Sequence, residues 1–139
     1  MLRSIEAHDH MTEMPVTVHP DTPLFEAIGA LLERSISGAT VVDDDGKVVG
    51  VLSEMDCLQA IIAGAYHGEA GGRVGDVMTK EVETADPDAS ILEVARQLIR
   101  GHRRRLPVVK NGKFVGQYSC RSMLRAVVAL TDAEQPAPH

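Results

Sequence analysis

The chain repeats itself. Met11-Thr12 followed by Pro20-Asp21-Thr22-Pro23-Leu24 recurs 67 positions later as Met78-Thr79 followed by Pro87-Asp88-Ala89-Ser90-Ile91, and a second pair of apolar segments follows in each copy. The stretch Ala7-His8-Asp9-His10-Met11-Thr12 also aligns with Val74-Gly75-Asp76-Val77-Met78-Thr79, so both copies open on the same lead-in. A repeated unit of about 60 residues has too little core of its own and buries its apolar faces against its twin. In 139 residues, two such units predict one particle with a pseudo-twofold axis and two equivalent clefts between the copies.

Copy one opens on an extended segment, Pro15-Val16-Thr17-Val18, closed by the turn-forming Pro20-Asp21. A helix is expected next, with Thr22 as cap, Pro23 at its first position, and Leu24, Ala27, Ile28, Leu31 and Leu32 at helical spacing. Thr40-Val41-Val42 and Val48 to Leu52 read as two strands joined through Asp43-Asp44-Asp45-Gly46-Lys47, whose Asp-Gly step signals a hairpin. A second helix from Ser53 carries Met55, Leu58, Ile61 and Ile62 and stops at Gly64. Copy two keeps the order: Val82 to Ala85 extended, then a helix opened by the capping box Ser90/Glu93 with Ile91, Val94, Ala95, Leu98 and Ile99 inward. Strands at Leu106 to Val109 and Phe114 to Tyr118 join through Asn111-Gly112, and a last helix spans Ser122 to Leu130. The expected fold is therefore α/β: two pseudo-symmetric β-α-β-β-α repeats, over 7–66 and 74–130, joined by the glycine-rich His67-Gly68-Glu69-Ala70-Gly71-Gly72. Residues 131–139, with little to bury, read as a disordered tail.

Composition removes several function classes. A formal charge of -6 argues against nucleic-acid binding through the overall field, and 3% aromatic residues argue against a base-stacking platform. The basic run His102-Arg103-Arg104-Arg105 is the local exception, and it lies in no helix-turn-helix spacing. Cys57 and Cys120 form no CxxC pair and suit a reducing compartment. No apolar run approaches the roughly 18 residues of a spanning helix, and Met1-Leu2-Arg3-Ser4-Ile5-Glu6 lacks a signal-peptide core. A cytoplasmic protein without membrane insertion is expected. His8-Asp9-His10 offers two metal ligands without a third at recognisable spacing, so no metal site is expected. Neither Glu54 nor Asp56 has a nucleophile or histidine partner in its motif, and no phosphate-cradling glycine loop occurs, so the chain does not read as an enzyme.

Four motifs carry a resemblance when taken in order and twice: Asp-x-Met-Thr at Asp76 to Thr79, the Pro-Asp turn before each first helix, Leu-Pro-Val-Val at 106 to 109, and Gly-x-x-Ser-x-x-Asp at Gly50 to Asp56. From Ala7 to Leu130 the chain resembles a tandem pair of CBS domains, the Bateman module named after cystathionine β-synthase. The resemblance implies a regulatory repeat protein rather than a catalyst. Such pairs often associate as flat homodimers and hold adenosine-containing ligands (AMP, ADP, ATP or S-adenosylmethionine) between the repeats, with no cofactor required.

The resemblance also implies where such a guest is held. Ser53 and Asp56 stand where similar sites grip the ribose, and an ionised carboxylate offers two acceptor oxygens to vicinal hydroxyls. The same Ser-x-x-Asp spacing is an ordinary helix cap with a favourable charge at the positive end of the helix dipole, and the two roles are compatible. Arg104 and Arg105 stand where the resemblance puts phosphate contacts, with Arg103 a bystander. Their counterparts in copy one, Ser35-Ile36-Ser37-Gly38, are uncharged. The base is expected against Val82 and Glu83 and against Val51 and Leu52, read through backbone groups. In copy two, Ser119 and Ser122 occupy the Ser-x-x-Asp positions, and a hydroxyl in place of the carboxylate implies a weaker or empty second cleft. The function expected is sensing of an adenosyl nucleotide and relay of its binding to a partner protein. The alternative is a constitutive dimerisation module whose clefts are vestigial.

Overall fold

Short apolar runs broken by Pro-Asp, Asp-Gly and Asn-Gly steps can form only brief strands and helices, and a computed structural model, which describes residues 6–13, 15–64 and 72–134, has that grain. A two-residue strand β1 (Thr17–Val18) leads into helix α1 (Leu24–Glu33), followed by β2 (Gly38–Val42), β3 (Val48–Ser53) and helix α2 (Glu54–Ile62). After a short helix α3 (Val74–Val77) come α4 (Ile91–Arg100), β4 (Arg105–Lys110), β5 (Lys113–Ser119) and α5 (Cys120–Glu134). The connector expected at His67–Gly72 lies outside the described residues except for Gly72.

Turn chemistry fixes both hairpins. Gly46 takes φ +82° beside an Asp43 carboxylate that accepts from the amides of Asp45 and Lys47, both at 2.9 Å, so the side chain closes the loop. Asn111 and Gly112 take φ +53° and +79°, the left-handed pair that a two-residue turn demands. β2 runs antiparallel to β3 and parallel to β1, where Thr17 faces Thr40 and Val18 faces Val41. In copy two the equivalent of β1 shrinks to one parallel bridge: Ala85 donates its amide to the Pro107 carbonyl at 2.8 Å and accepts from the Val109 amide at 3.1 Å.

Helix ends follow the sequence with three differences, one of them that α5 starts at Cys120 rather than Ser122. Ser90 and Glu93 close the expected capping box, at 3.2 and 3.3 Å. Thr22 does not cap α1: Pro23 takes the cap position, and the Thr22 hydroxyl instead accepts from the His19 amide at 3.3 Å, closing the preceding turn. α5 continues to Glu134, past the expected end at Leu130, and Thr131 donates its hydroxyl to the Val127 carbonyl in that last stretch. Residues 135–139 of the expected tail lie outside the described residues.

The described residues divide into two compact units, one of residues 16–64 and 72–82 with 112–114, the other of residues 6–13, 15, 83–111 and 115–134. The core of the first is aliphatic, with Leu24, Val41, Leu52 and Val74 fully buried. That of the second is built on Ile91, Val94, Leu106, Val108 and Tyr118. Leu32, Ile62 and Ile99, which helical spacing assigned to apolar faces, are 74%, 86% and 75% exposed.

Candidate functional site

Strand β3 ends at Ser53 because the next residues start α2, and that junction creates a closed capping box. The Asp56 amide donates to Ser53 Oγ at 3.0 Å while the Ser53 amide donates to Asp56 Oδ2 at 3.0 Å. The carboxylate therefore sits at the positive end of the helix dipole, half-buried and fixed on one oxygen. A second donor reaches it from 23 residues further along the chain. Thr79 Oγ1 donates to both oxygens, at 3.1 Å to Oδ1 and 3.3 Å to Oδ2.

Thr79 is held there by its backbone. It forms an isolated antiparallel bridge with Val51, with amide to carbonyl distances of 2.9 and 3.0 Å. Gly50 permits this approach, since a Cβ there would stand 2.9 Å from the Thr79 carbonyl oxygen and 2.5 Å from Met78 Sδ. Val51 is half-buried, whereas Leu52 is fully buried in the core of its unit. Alongside α2, a pocket of about 470 Å³ is bordered by Asp56, Gln59, Ala60, Ala63, Gly64, Gly72, Asp76 and Val77. Asp76 faces it while accepting from the Arg73 amide at 3.4 Å.

The twin junction in the other unit repeats the geometry without the charge. Ser119 and Ser122 cap each other, with amide to hydroxyl distances of 2.9 and 3.0 Å. Ser122 is buried and spends its one proton on the Ser119 carbonyl at 3.0 Å. Thr12 pairs with Gln117 as Thr79 pairs with Val51. Before β4, Arg103 Nε donates to Glu83 Oε2 at 3.2 Å, so two neighbours in the expected guest site, a bystander and a base contact, are an ion pair. Gly101 makes room for that pair, as a Cβ there would lie 2.8 Å from Glu83 Oε2. Arg104 is exposed and Arg105 half-buried. Of the residues singled out in the sequence, Val51, Leu52, Ser53, Asp56 and Val82 thus belong to one unit, and Glu83, Arg104 and Arg105 to the other.

Thr79 is the site residue that the sequence concealed. Its only signal was the repetition of Met-Thr, which marks a lead-in and says nothing of where the hydroxyl goes. Cys57, next to Asp56, is a buried thiol pushed up by burial first and then by the negative charges of Asp56 and Glu54, which leaves it unreactive. His8 faces carboxylates on both ring nitrogens, Glu6 at 3.2 Å and Asp9 at 3.1 Å. Among the described residues no group of three or more His, Cys, Asp or Glu is placed to hold a metal ion. No described helix is long and apolar enough to cross a membrane.

Comparison with known proteins agrees with this architecture. The CBS domain family profile matches twice, over residues 4–63 and 74–129. Protein MJ1225 of Methanocaldococcus jannaschii is 31% identical over 106 residues, which cover 76% of this chain but only 37% of that protein. The CBS-pair protein CBSX2 of Arabidopsis thaliana superposes with a TM-score of 0.81 at 30% identity, covering 92% of this chain and 97% of its own. A second structure, of CBSX2 in complex with AMP, gives a TM-score of 0.82 at 29% identity over 92% and 99% of the two chains. Two capped strand-to-helix junctions, two turn-closed hairpins and two profile matches lead to one assignment: the chain belongs to the CBS domain family, as a tandem pair.

Proposed function

We propose that this protein is a regulatory module that binds an adenosine-containing ligand (AMP, ADP, ATP or an S-adenosyl compound) without turning it over. The observation that carries the reading is the Asp56 carboxylate, anchored by a backbone amide and a hydroxyl at a strand-to-helix junction and still half-exposed to a guest. AMP in the structure of the similar CBSX2 supports the choice of ligand class. In this reading Asp56 and Ser53 hold the ribose, Arg104 and Arg105 receive the anionic end, and Val51, Leu52, Val82 and Glu83 frame the base. Glu83 and Leu52 contribute through their backbones, because the Glu83 carboxylate is engaged with Arg103 and the Leu52 side chain is fully buried in the core of its unit. The Ser119/Ser122 junction binds weakly or not at all, because the one neutral oxygen of Ser122, already accepting from the Ser119 amide, replaces the two acceptor oxygens of a carboxylate. Binding regulates a partner protein through differential affinity for two arrangements of the module.

Titration calorimetry with AMP, ADP, ATP and S-adenosylmethionine tests the assignment. Heat is expected with at least one, and Asp56→Ala loses about 10- to 100-fold in affinity, the size of a lost charged hydrogen bond. Arg104→Ala and Arg105→Ala weaken ATP more than AMP, and less so at high salt. Equal binding by wild type and Asp56→Ala overturns the ribose assignment.

A second property is proposed from a separate observation. Phe25, Leu32, Met55, Leu58 and Ile62 on α1 and α2 are large apolar side chains that stand 49% to 86% exposed. We read these helix faces as the contact of a homodimer. The same surface also suits the alternative of a constitutive assembly module, which the calorimetry separates from a sensor.

A further inference from the structure

Resting on the ribose assignment above, we propose that Thr79 is the positioning residue that makes Asp56 discriminate a ribose from a 2′-deoxyribose. A carboxylate held by one donor still rotates about its last bond, because that torsion is soft. The Ser53 amide alone, on Oδ2, would leave Asp56 in that condition. Thr79 Oγ1 spans Oδ1 and Oδ2 and fixes the carboxylate plane. Reading a vicinal diol needs that plane fixed, since its two hydroxyls have a set spacing and must meet both oxygens together.

The acceptor count agrees. An ionised carboxylate has roughly four lone-pair sites. The Ser53 amide takes one on Oδ2, and the single Thr79 proton, shared between the oxygens and nearer Oδ1 at 3.1 Å, takes one more in total, so both oxygens keep acceptor capacity for the 2′- and 3′-hydroxyls. Thr79 therefore works beside the guest and does not compete with it.

The twin repeat is an internal control. Thr12 stands where Thr79 does, bridged to Gln117 on a strand whose Gly116 admits the neighbouring Met11. Its counterpart of Asp56 is Ser122, whose hydroxyl turns to the Ser119 carbonyl. The backbone clamp is common to both repeats, so pairing the lead-in to its strand does not require the Thr79-Asp56 bond. Nor does Thr79 need it for solvation, since the residue is exposed and water would serve its hydroxyl.

The test compares whichever of AMP, ADP and ATP binds tightest with its 2′-deoxy counterpart, by calorimetry on wild type, Thr79→Val, Thr79→Ala and Thr79→Ser. Wild type is expected to favour the ribonucleotide at least about tenfold, one charge-assisted hydrogen bond. Thr79→Val and Thr79→Ala lose about tenfold for the ribonucleotide and little for the deoxynucleotide, so the ratio collapses, and Thr79→Ser restores it. A purely structural role would weaken both nucleotides equally or lower the melting temperature without moving the ratio. If the ratio survives in Thr79→Val while Asp56→Ala still loses about 10- to 100-fold in affinity, the Thr79 role is overturned and the site reading stands. Absence of binding of AMP, ADP, ATP and S-adenosylmethionine by wild type overturns both.

Discussion

At the scale of single residues, the chemistry of the chain follows from what surrounds each polar atom. Tyr118 is fully buried, its hydroxyl donating to the Asp86 and Pro87 carbonyls at 3.2 and 3.3 Å. Burial above all, then the negative charges of Asp86, Asp88 and Glu6, pushes its phenol from 10.0 up to about 12. The folded protein keeps a proton that the unfolded chain releases above about pH 10. Tyr118 therefore contributes stability that is fully present below about pH 10 and is lost as the pH rises towards 12. Melting temperatures across about pH 8 to 11 are expected to fall at the alkaline end. Tyr118→Phe flattens that fall while costing about 1 kcal/mol at neutral pH for its lost hydrogen bond. Ser53 and Asp56 were legible in the sequence because a capping box is written within four consecutive positions. The Thr79 contact was not, because it depends on a strand bridge that no local pattern encodes. The ion pair of Glu83 with Arg103 escaped for the same reason.

At the scale of elements, turns were the most readable feature and helix faces the least. Asp-Gly and Asn-Gly predicted both hairpins because positive φ is a local demand that few residues meet. Helical spacing identified α1, α2 and α4, yet it could not say which apolar residues face the core of a unit and which are displayed, as Leu32 and Ile99 show. The cap of α1 moved by one residue, and the Thr22 hydroxyl is spent on the His19 amide rather than on the helix. The lead-in clamps give a sharper test. At Gly116 the three atoms nearest to a Cβ would all belong to the Met11 side chain, at 2.5 to 2.8 Å, and a methionine can swing away. At Gly50 it would also meet the Thr79 carbonyl at 2.9 Å, which is pinned by the bridge. Gly50→Ala is expected to destabilise by about 1 to 3 kcal/mol and Gly116→Ala by distinctly less, as read from urea midpoints.

At the scale of the whole molecule, the duplication announced the fold before any element was assigned, and the family profile likewise matches twice, over residues 4–63 and 74–129. The proposed homodimer belongs to this scale. Leu32→Glu with Ile62→Glu places charge on two displayed positions, 74% and 86% exposed, so folding is spared while association is opposed. Sedimentation equilibrium is expected to report a dimer for wild type and a monomer for the double variant. A wild-type monomer would remove the proposed interface. One thing duplication could not reveal is which strands each lead-in joins: Thr12 pairs with Gln117, and Thr79 pairs with Val51, so each opening segment is grafted onto the other copy's sheet. A gene for half of this protein would accordingly make a product missing one arm, able to complete itself only by borrowing from a sister molecule. Fusion of two such genes turns that loan between neighbours into a covalent bond, and leaves the two halves free to differ, as Asp56 in one and Ser122 in the other do.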